Sequence, residues 1–193
     1  AGKTTALQAL AELDAHIIDA DAVYHALLES SATLRAELTA RFGPSILDGE
    51  GRVNRKALGG VVFGDPAALA ELNAITHRYV NDEVDRRLDQ ARGEGRPAAA
   101  VDAIALLDSD LRDKCHCTVA VTAPDEVRVR RIMARDGITE DYARLRMAAQ
   151  PADEYYTAHC SHILENCQES PAEFEAVAEK FLKNLIREVF TYE

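Results

Sequence analysis

The chain has 193 residues, 47% of them hydrophobic, and its 22 Lys plus Arg stand against 33 Asp plus Glu for a net charge of −11. That length buries a core sufficient for one compact domain, or a domain with a small insertion. The acidic balance excludes broad binding to a nucleic-acid backbone, which needs a basic face.

Leu7, Leu10 and Leu13 recur at helical spacing directly after Ala1-Gly2-Lys3-Thr4-Thr5. A short strand is predicted at His16-Ile17-Ile18, ending in Asp19-Ala20-Asp21. From about Ala22 to Arg92 the pattern is nearly all helical, broken at Phe42-Gly43-Pro44 and at the Asp48-Gly49-Glu50-Gly51 turn. Gly93 to Pro97 reads as a loop before a small-residue and apolar run, Ala98 to Leu107, that suits a buried parallel strand. Cys117 to Ala123 is the strongest strand pattern, with a turn at Pro124-Asp125. Two arginine-rich helices follow, interrupted at Asp136-Gly137 and ending near Gln150-Pro151. A last strand at His162-Ile163-Leu164 leads to a terminal helix from about Pro171 to Phe190. Strands alternating with helices predict an α/β fold with a parallel sheet, and the helical stretch after Asp21 an inserted subdomain.

No apolar run approaches the ~20 residues of a membrane-spanning helix, and the opening residues lack the pattern of a secretory leader. Cys115, Cys117, Cys160 and Cys167 are too few and too unevenly placed for a disulfide-stapled secreted domain, so a reducing cytoplasm is the expected location.

Gly2-Lys3-Thr4 followed at once by a helix is the second half of the phosphate-binding pattern G-x-x-x-x-G-K-[ST]. The chemistry needs this order: glycine lets backbone N–H groups wrap a phosphate, lysine reaches the β- and γ-phosphates, and threonine offers its hydroxyl to Mg²⁺. The plainer reading makes Lys3 a solvated terminal residue. Asp19 and Asp21 sit at the carboxyl end of the next strand, where open α/β sheets bind ligands and two carboxylates can orient a hydroxyl nucleophile. Either could instead cap the following helix.

Arg128, Arg130, Arg131, Arg135, Arg144 and Arg146 fall within 19 residues of an acidic chain. Arg128, Arg131 and Arg135 share one helical face, and guanidinium forks suit the oxygens of a migrating phosphoryl group. About half of the six are expected to be solvated and paired with acidic neighbours, and Arg131 and Arg135 are the two expected to serve the nucleotide as catalytic cations. Cys115-His116-Cys117 and His159-Cys160-Ser161-His162 invite a zinc reading, but C-x-C is tighter than the usual spacing of structural zinc ligands, and thiols at strands are expected to pack as small apolar groups.

Taken in order, these segments resemble the dephospho-coenzyme A kinase family across essentially the whole chain. The resemblance rests on G-K-T, I-I-D-A-D ending at Asp21, Phe42-Gly43, Asp48 to Leu58, Val62-Phe63, Leu72 to His77, Asp102 to Asp108, Arg130 to Asp136 and Arg146 to Gln150. It implies a P-loop kinase core with a parallel sheet flanked by helices, at 1–21 and 96–193. A lid is implied at about 128–155 and a helical acceptor-binding domain at 22–95. It further implies transfer of the ATP γ-phosphate to the ribose 3′-hydroxyl of dephospho-coenzyme A, with Mg²⁺, in coenzyme A biosynthesis. On that resemblance Gly2, Lys3, Thr4 and Thr5 hold the nucleotide, with Thr4 on the metal, and Asp21 orients or deprotonates the acceptor hydroxyl beside Asp19. Arg55, His77 and Asp108 belong to the acceptor side, Arg131 and Arg135 to the lid, and Asn166 to the adenine loop. Asp108 stands where the family commonly has Glu, Arg78 follows His77 where proline is usual, and Cys167 follows Asn166 where glycine is usual. Another small-molecule or nucleoside monophosphate kinase, or a nucleotide-binding module without turnover, are the alternatives. The expected assembly is a monomer or weak homo-oligomer that binds neither nucleic acid nor membrane. The P-loop pattern also leads to the expectation of about a dozen residues ahead of Ala1, including a strand and the first loop glycine.

Overall fold

The computed structural model describes residues 1–104, 106–149 and 151–190. Ala105, within the Asp102–Asp108 motif, and Gln150, which closes the Arg146–Gln150 motif, lie outside the described residues. In chain order the elements are α1 (Lys3–Glu12), β1 (His16–Asp19), α2 (Ala20–Ser30), α3 (Ala32–Phe42), α4 (Arg55–Val62) and α5 (Pro66–Gly93). Then come β2 (Ala99–Asp102), β3 (Val119–Thr122), α6 (Asp125–Asp136), α7 (Glu140–Ala148), α8 (Asp153–His159), β4 (His162–Glu165) and α9 (Pro171–Phe190). Two compact units share the chain, one of Ala1–Ile17, Arg96–Ala100 and Leu107–Glu193, the other of Ile18–Gly95 and Val101–Leu106.

The first unit is an α/β layer. β3 and β4 run parallel, with Val119 opposite His162 and Thr122 opposite Glu165. A reciprocal clip sets this register: the Thr118 N–H donates to Ser161 Oγ at 3.1 Å and the Ser161 N–H to Thr118 Oγ1 at 3.0 Å. β1 pairs with β2, so the strands near Val101 and Val119 belong to different pairs. The buried face of α1 is Ala6, Ala9 and Leu10, packed with Phe174, Ala178 and Leu182 of α9 and Leu164 of β4. The leucine spacing pointed instead to Leu7 and Leu13, which are only half-buried. Alanines win this face because short side chains let two helices approach closely.

α6 ends at Gly137, whose left-handed backbone (φ 65°) closes the helix at no side-chain cost. The sequence pattern placed this break correctly but did not reveal α8, whose polar seven residues, Asp153–His159, carry no apolar stripe.

The second unit is helical. Leu28 of α2, Leu34 and Leu38 of α3, Leu58 and Val62 of α4, and Ala68 and Leu72 of α5 form its core with Ile46. Each helix begins on a side-chain cap: Asp19, Ser31, Asn54 and Asp65 accept from the first-turn N–H groups of α2 to α5. The Asp48–Gly51 turn lies inside a small antiparallel bridge between Leu47 and Val53.

Candidate functional site

In the first unit, α1 starts on Gly2 at φ 124°, with no side-chain cap and no acidic residue in its first turn. Its N–H groups and the positive end of its dipole therefore remain to be satisfied by an anion. Lys3 and Thr4 stand exposed on that turn and Thr5 is half-buried. A methyl group on Gly2 would come within 2.5 Å of Asn166 Nδ2 and 2.9 Å of Phe174 Cε1, so the close approach of backbone to these side chains requires glycine.

Asn166 lies at the end of β4, where its N–H donates to the Thr122 carbonyl at 2.8 Å and continues the strand register. Its side chain is buried (4% exposed) and turned toward α1. Nδ2 donates to the Ala1 carbonyl at 2.8 Å, and Oδ1 accepts from Arg131 Nη2 at 3.1 Å. The same Arg131 nitrogen donates to the Gln168 carbonyl at 2.7 Å, and Nη1 donates to the Ala1 carbonyl at 3.4 Å.

The arginines divide by surroundings. Arg131 of α6 reaches the α1 start through the Ala1 carbonyl and Asn166, and Arg128 and Arg135 lie on the same helical face as Arg131. Arg128 is largely buried and donates to Asp153 of α8 at 2.9 Å. Arg135 is mostly exposed beside Asp136 at 2.7 Å, while Arg146 donates to the other oxygen of the same carboxylate at 2.5 Å. Arg144 pairs with Glu126 and Glu140 at 2.9 and 2.7 Å. Between α6, α7 and α8 is an open cleft of about 580 Å³, lined in part by Arg128, Arg144, Met147 and Asp153. Asp108 also belongs to this unit and accepts from the Tyr155 hydroxyl at 2.8 Å.

The second unit carries the other residues singled out from the sequence. Asp19 is the cap of α2, its Oδ1 accepting from the Ala22 N–H at 2.9 Å. Asp21 is not the cap; it stands exposed on the first turn of α2. Arg55 opens α4, close enough to Tyr24 that its charge opposes the burial which raises that phenol. His77 is exposed on α5, between the buried Thr76, whose hydroxyl donates to the Leu72 carbonyl at 2.8 Å, and Arg78, which is paired with Glu37 at 2.6 Å.

Cys115, Cys117 and Cys160 are half-buried and Cys167 is exposed, rather than the strand thiols being fully packed away. Burial pushes the Cys115 and Cys117 thiols up, which opposes thiolate formation. Among the described residues no cluster of three or more His, Cys, Asp or Glu side chains is arranged to hold a metal ion.

Sequence reasoning missed three features of this unit: the Gln168 carbonyl that holds Arg131, Phe174 beside Gly2, and the Arg128–Asp153 pair. Of these only Arg128 had a signal, its i,i+3 relation to Arg131.

A helix that starts uncapped on Gly-Lys-Thr, in an α/β unit with parallel strands and with Arg131 bonded beside that start, defines a nucleotide-binding protein of the P-loop kinase class. A family model described as dephospho-CoA kinase matches residues 1–172. The dephospho-CoA kinase of Geobacter sulfurreducens is 34% identical over 174 residues, covering 90% of this chain and 88% of that protein. That of Anaeromyxobacter dehalogenans is 35% identical over 185 residues, covering 95% and 87%. Among solved structures, TT1252 from Thermus thermophilus is 28% identical with a TM-score of 0.72, covering 97% of this chain and 91% of that one. The dephospho-CoA kinase from Campylobacter jejuni, 24% identical with a TM-score of 0.61 and covering 95% and 91%, shares the fold. The chain belongs to the dephospho-CoA kinase family.

Proposed function

We propose that this chain phosphorylates the ribose 3′-hydroxyl of dephospho-coenzyme A from ATP, with the nucleotide held at the start of α1 and Asp21 serving the acceptor. Family membership supports the reaction. The observation that carries the site assignment is the uncapped Gly2-Lys3-Thr4 start of α1, with Arg131 of α6 bonded beside it.

The acceptor oxygen attacks the γ-phosphorus while the bond to the β–γ bridging oxygen breaks, and ADP leaves with the bonding electron pair. The proton of the hydroxyl passes to the carboxylate of Asp21, an exposed base on the first turn of α2. Asp19 spends one oxygen on its cap and orients the turn that carries Asp21. Gly2, Lys3, Thr4 and Thr5 present N–H groups to the phosphates, and the Lys3 ammonium offsets charge on the leaving side. Arg135, exposed on α6 beside Asp136, is the cation offered to the transferring group, while Arg131 shapes the loop behind it.

Mg²⁺ fits the donor chemistry of this start, because the exposed Thr4 supplies a hard hydroxyl oxygen. When bound, it neutralises charge on the phosphate oxygens. Arg55 and His77 are assigned to the acceptor's anionic groups and Asp108 to the loop after β2, and the adenine lies against the segment around Asn166. Residues 1–21 and 96–193 serve as the nucleotide core, about 128–155 as its lid, and 22–95 as the acceptor domain. A monomer or weak homo-oligomer acting in the cytoplasm completes the reading. Among the described residues no helix is long and apolar enough to cross a membrane.

The test is ADP release with ATP, Mg²⁺ and a panel of acceptors. Turnover on dephospho-coenzyme A, with product phosphorylated at the 3′ position and little turnover on nucleoside monophosphates, is expected. Tight ATP binding with no phosphate transfer to any acceptor would reject the proposal.

A further inference from the structure

We propose that Asn166 and Arg131 form a positioning pair that fixes the Ala1–Gly2 peptide with its N–H turned toward the nucleotide phosphates. The inference rests on the nucleotide reading above and assigns a task that neither residue type advertises in the sequence.

The argument begins with donors and acceptors. An arginine has only N–H donors, so Arg131 at 3.1 Å requires the oxygen of the Asn166 amide to face it. The amide nitrogen must then face the Ala1 carbonyl, at 2.8 Å. Arg131 is held in turn by the Gln168 carbonyl at 2.7 Å and reaches the Ala1 carbonyl itself at 3.4 Å. The orientation of the amide is thus dictated by its partners. Asn166 is 4% exposed, and a buried amide is retained only where it is bonded.

The consequence follows from peptide geometry. Every peptide bond in the described residues is trans, so the Ala1 carbonyl and the Gly2 N–H lie in one plane and point in opposite directions. Two donors pull the carbonyl into the corner made by Asn166 and Arg131. The Gly2 N–H is thereby turned away from that corner, alongside the uncapped N–H groups of the first turn of α1. The pair opposes a rotation that would present this carbonyl to the phosphates, an acceptor where a donor is needed. Gly2 is required for the same reason: its missing side chain leaves the space that Asn166 Nδ2 and the Phe174 ring occupy. Arg131 is accordingly a positioning residue, unlike the exposed Arg135 on the same face of α6.

The experiment uses the purified full-length protein and two readouts: ADP binding by calorimetry, and steady-state kinetics with each substrate varied. Asn166→Asp keeps the shape and the acceptor for Arg131 but replaces the donor with an oxygen that repels the Ala1 carbonyl. ADP affinity should fall about tenfold and KM for ATP rise equally, with KM for dephospho-coenzyme A within about twofold of wild type. Arg131→Lys, which can still donate to Asn166, should hold ADP affinity within about threefold, while Arg131→Met should lose about tenfold. A folded N166D protein that binds ADP within twofold of wild type overturns the pair, as does an equal rise in KM for both substrates. Should N166D fail to fold, equal ADP affinity in R131K and R131M overturns it. A wild-type protein that binds ADP but transfers no phosphate removes the kinase reading, and the ADP titrations then decide the pair alone.

Discussion

Replacing Gly2 by alanine tests the frame of the candidate site in one step. Gly2 has φ 124°, a conformation that costs a residue with a side chain about 1–3 kcal/mol. The added methyl would also meet Asn166 Nδ2 at 2.5 Å and Phe174 Cε1 at 2.9 Å, and both side chains are fixed: Asn166 is 4% and Phe174 0% exposed. Overpacking against such neighbours costs about 1–3 kcal/mol. The total, about 2–6 kcal/mol, is a large share of the roughly 5–15 kcal/mol that keeps a domain folded. Urea unfolding followed by far-ultraviolet circular dichroism should show this loss in the midpoint without a change in slope. Gly60, in α4 with no atom near its missing side chain, is the contrasting position, where alanine should stabilise by about 0.5–1 kcal/mol. A Gly2→Ala protein within about 0.5 kcal/mol of wild type would refute both the strain and the contact argument.

Further outcomes are expected. Asp21→Asn should leave ADP binding intact and cut turnover on dephospho-coenzyme A by roughly 10²-fold or more, the scale of a positioned proton acceptor; near-normal turnover would remove Asp21 from the chemistry. Arg135→Ala should reduce kcat far more than Arg144→Ala, because Arg144 is locked between Glu126 and Glu140 of two helices whereas Arg135, paired with its neighbour Asp136, shares the helical face of Arg131. Equal, small losses at the two positions would make the whole arginine segment a solvated surface. Glu83, hydrogen-bonded by Arg86 and Arg87, is pulled down to about 2, so its stabilisation is fully present above pH ~4.5 and is lost as pH falls toward 2. These pairs are partly exposed, so Glu83→Gln should cost about 1 kcal/mol or less at pH 7 and nothing near pH 2, read from urea midpoints at both pH values. A cost that persists at pH 2 would assign the effect to packing instead.

Apart from α8 and the length of β2, which ends at Asp102 rather than Leu107, element type and order were legible in the sequence because they depend on neighbours a few residues away. Helical periodicity, the Asp136-Gly137 break, the β-branched run at Val119–Val121 and the Gly2-Lys3-Thr4 helix start are all short-range signals, and each lies where the pattern put it. Family membership was legible for the same reason, as an ordered set of short motifs. The cap of α2 fell to Asp19 rather than Asp21 through a bond only three residues long, which the sequence left open between the two. The tertiary structure decided matters of long sequence separation, burying Ala6 and Ala9 rather than Leu7 and Leu13 in the first-unit core. It also separated Arg131 from Arg135, two residues that the helix pattern made equivalent. The reason is a contact across 35 residues, from Arg131 to Asn166, and one across 165, from Asn166 to Ala1. No local propensity encodes such bonds, because they exist only after β4 has paired with β3 and carried Asn166 to the start of α1.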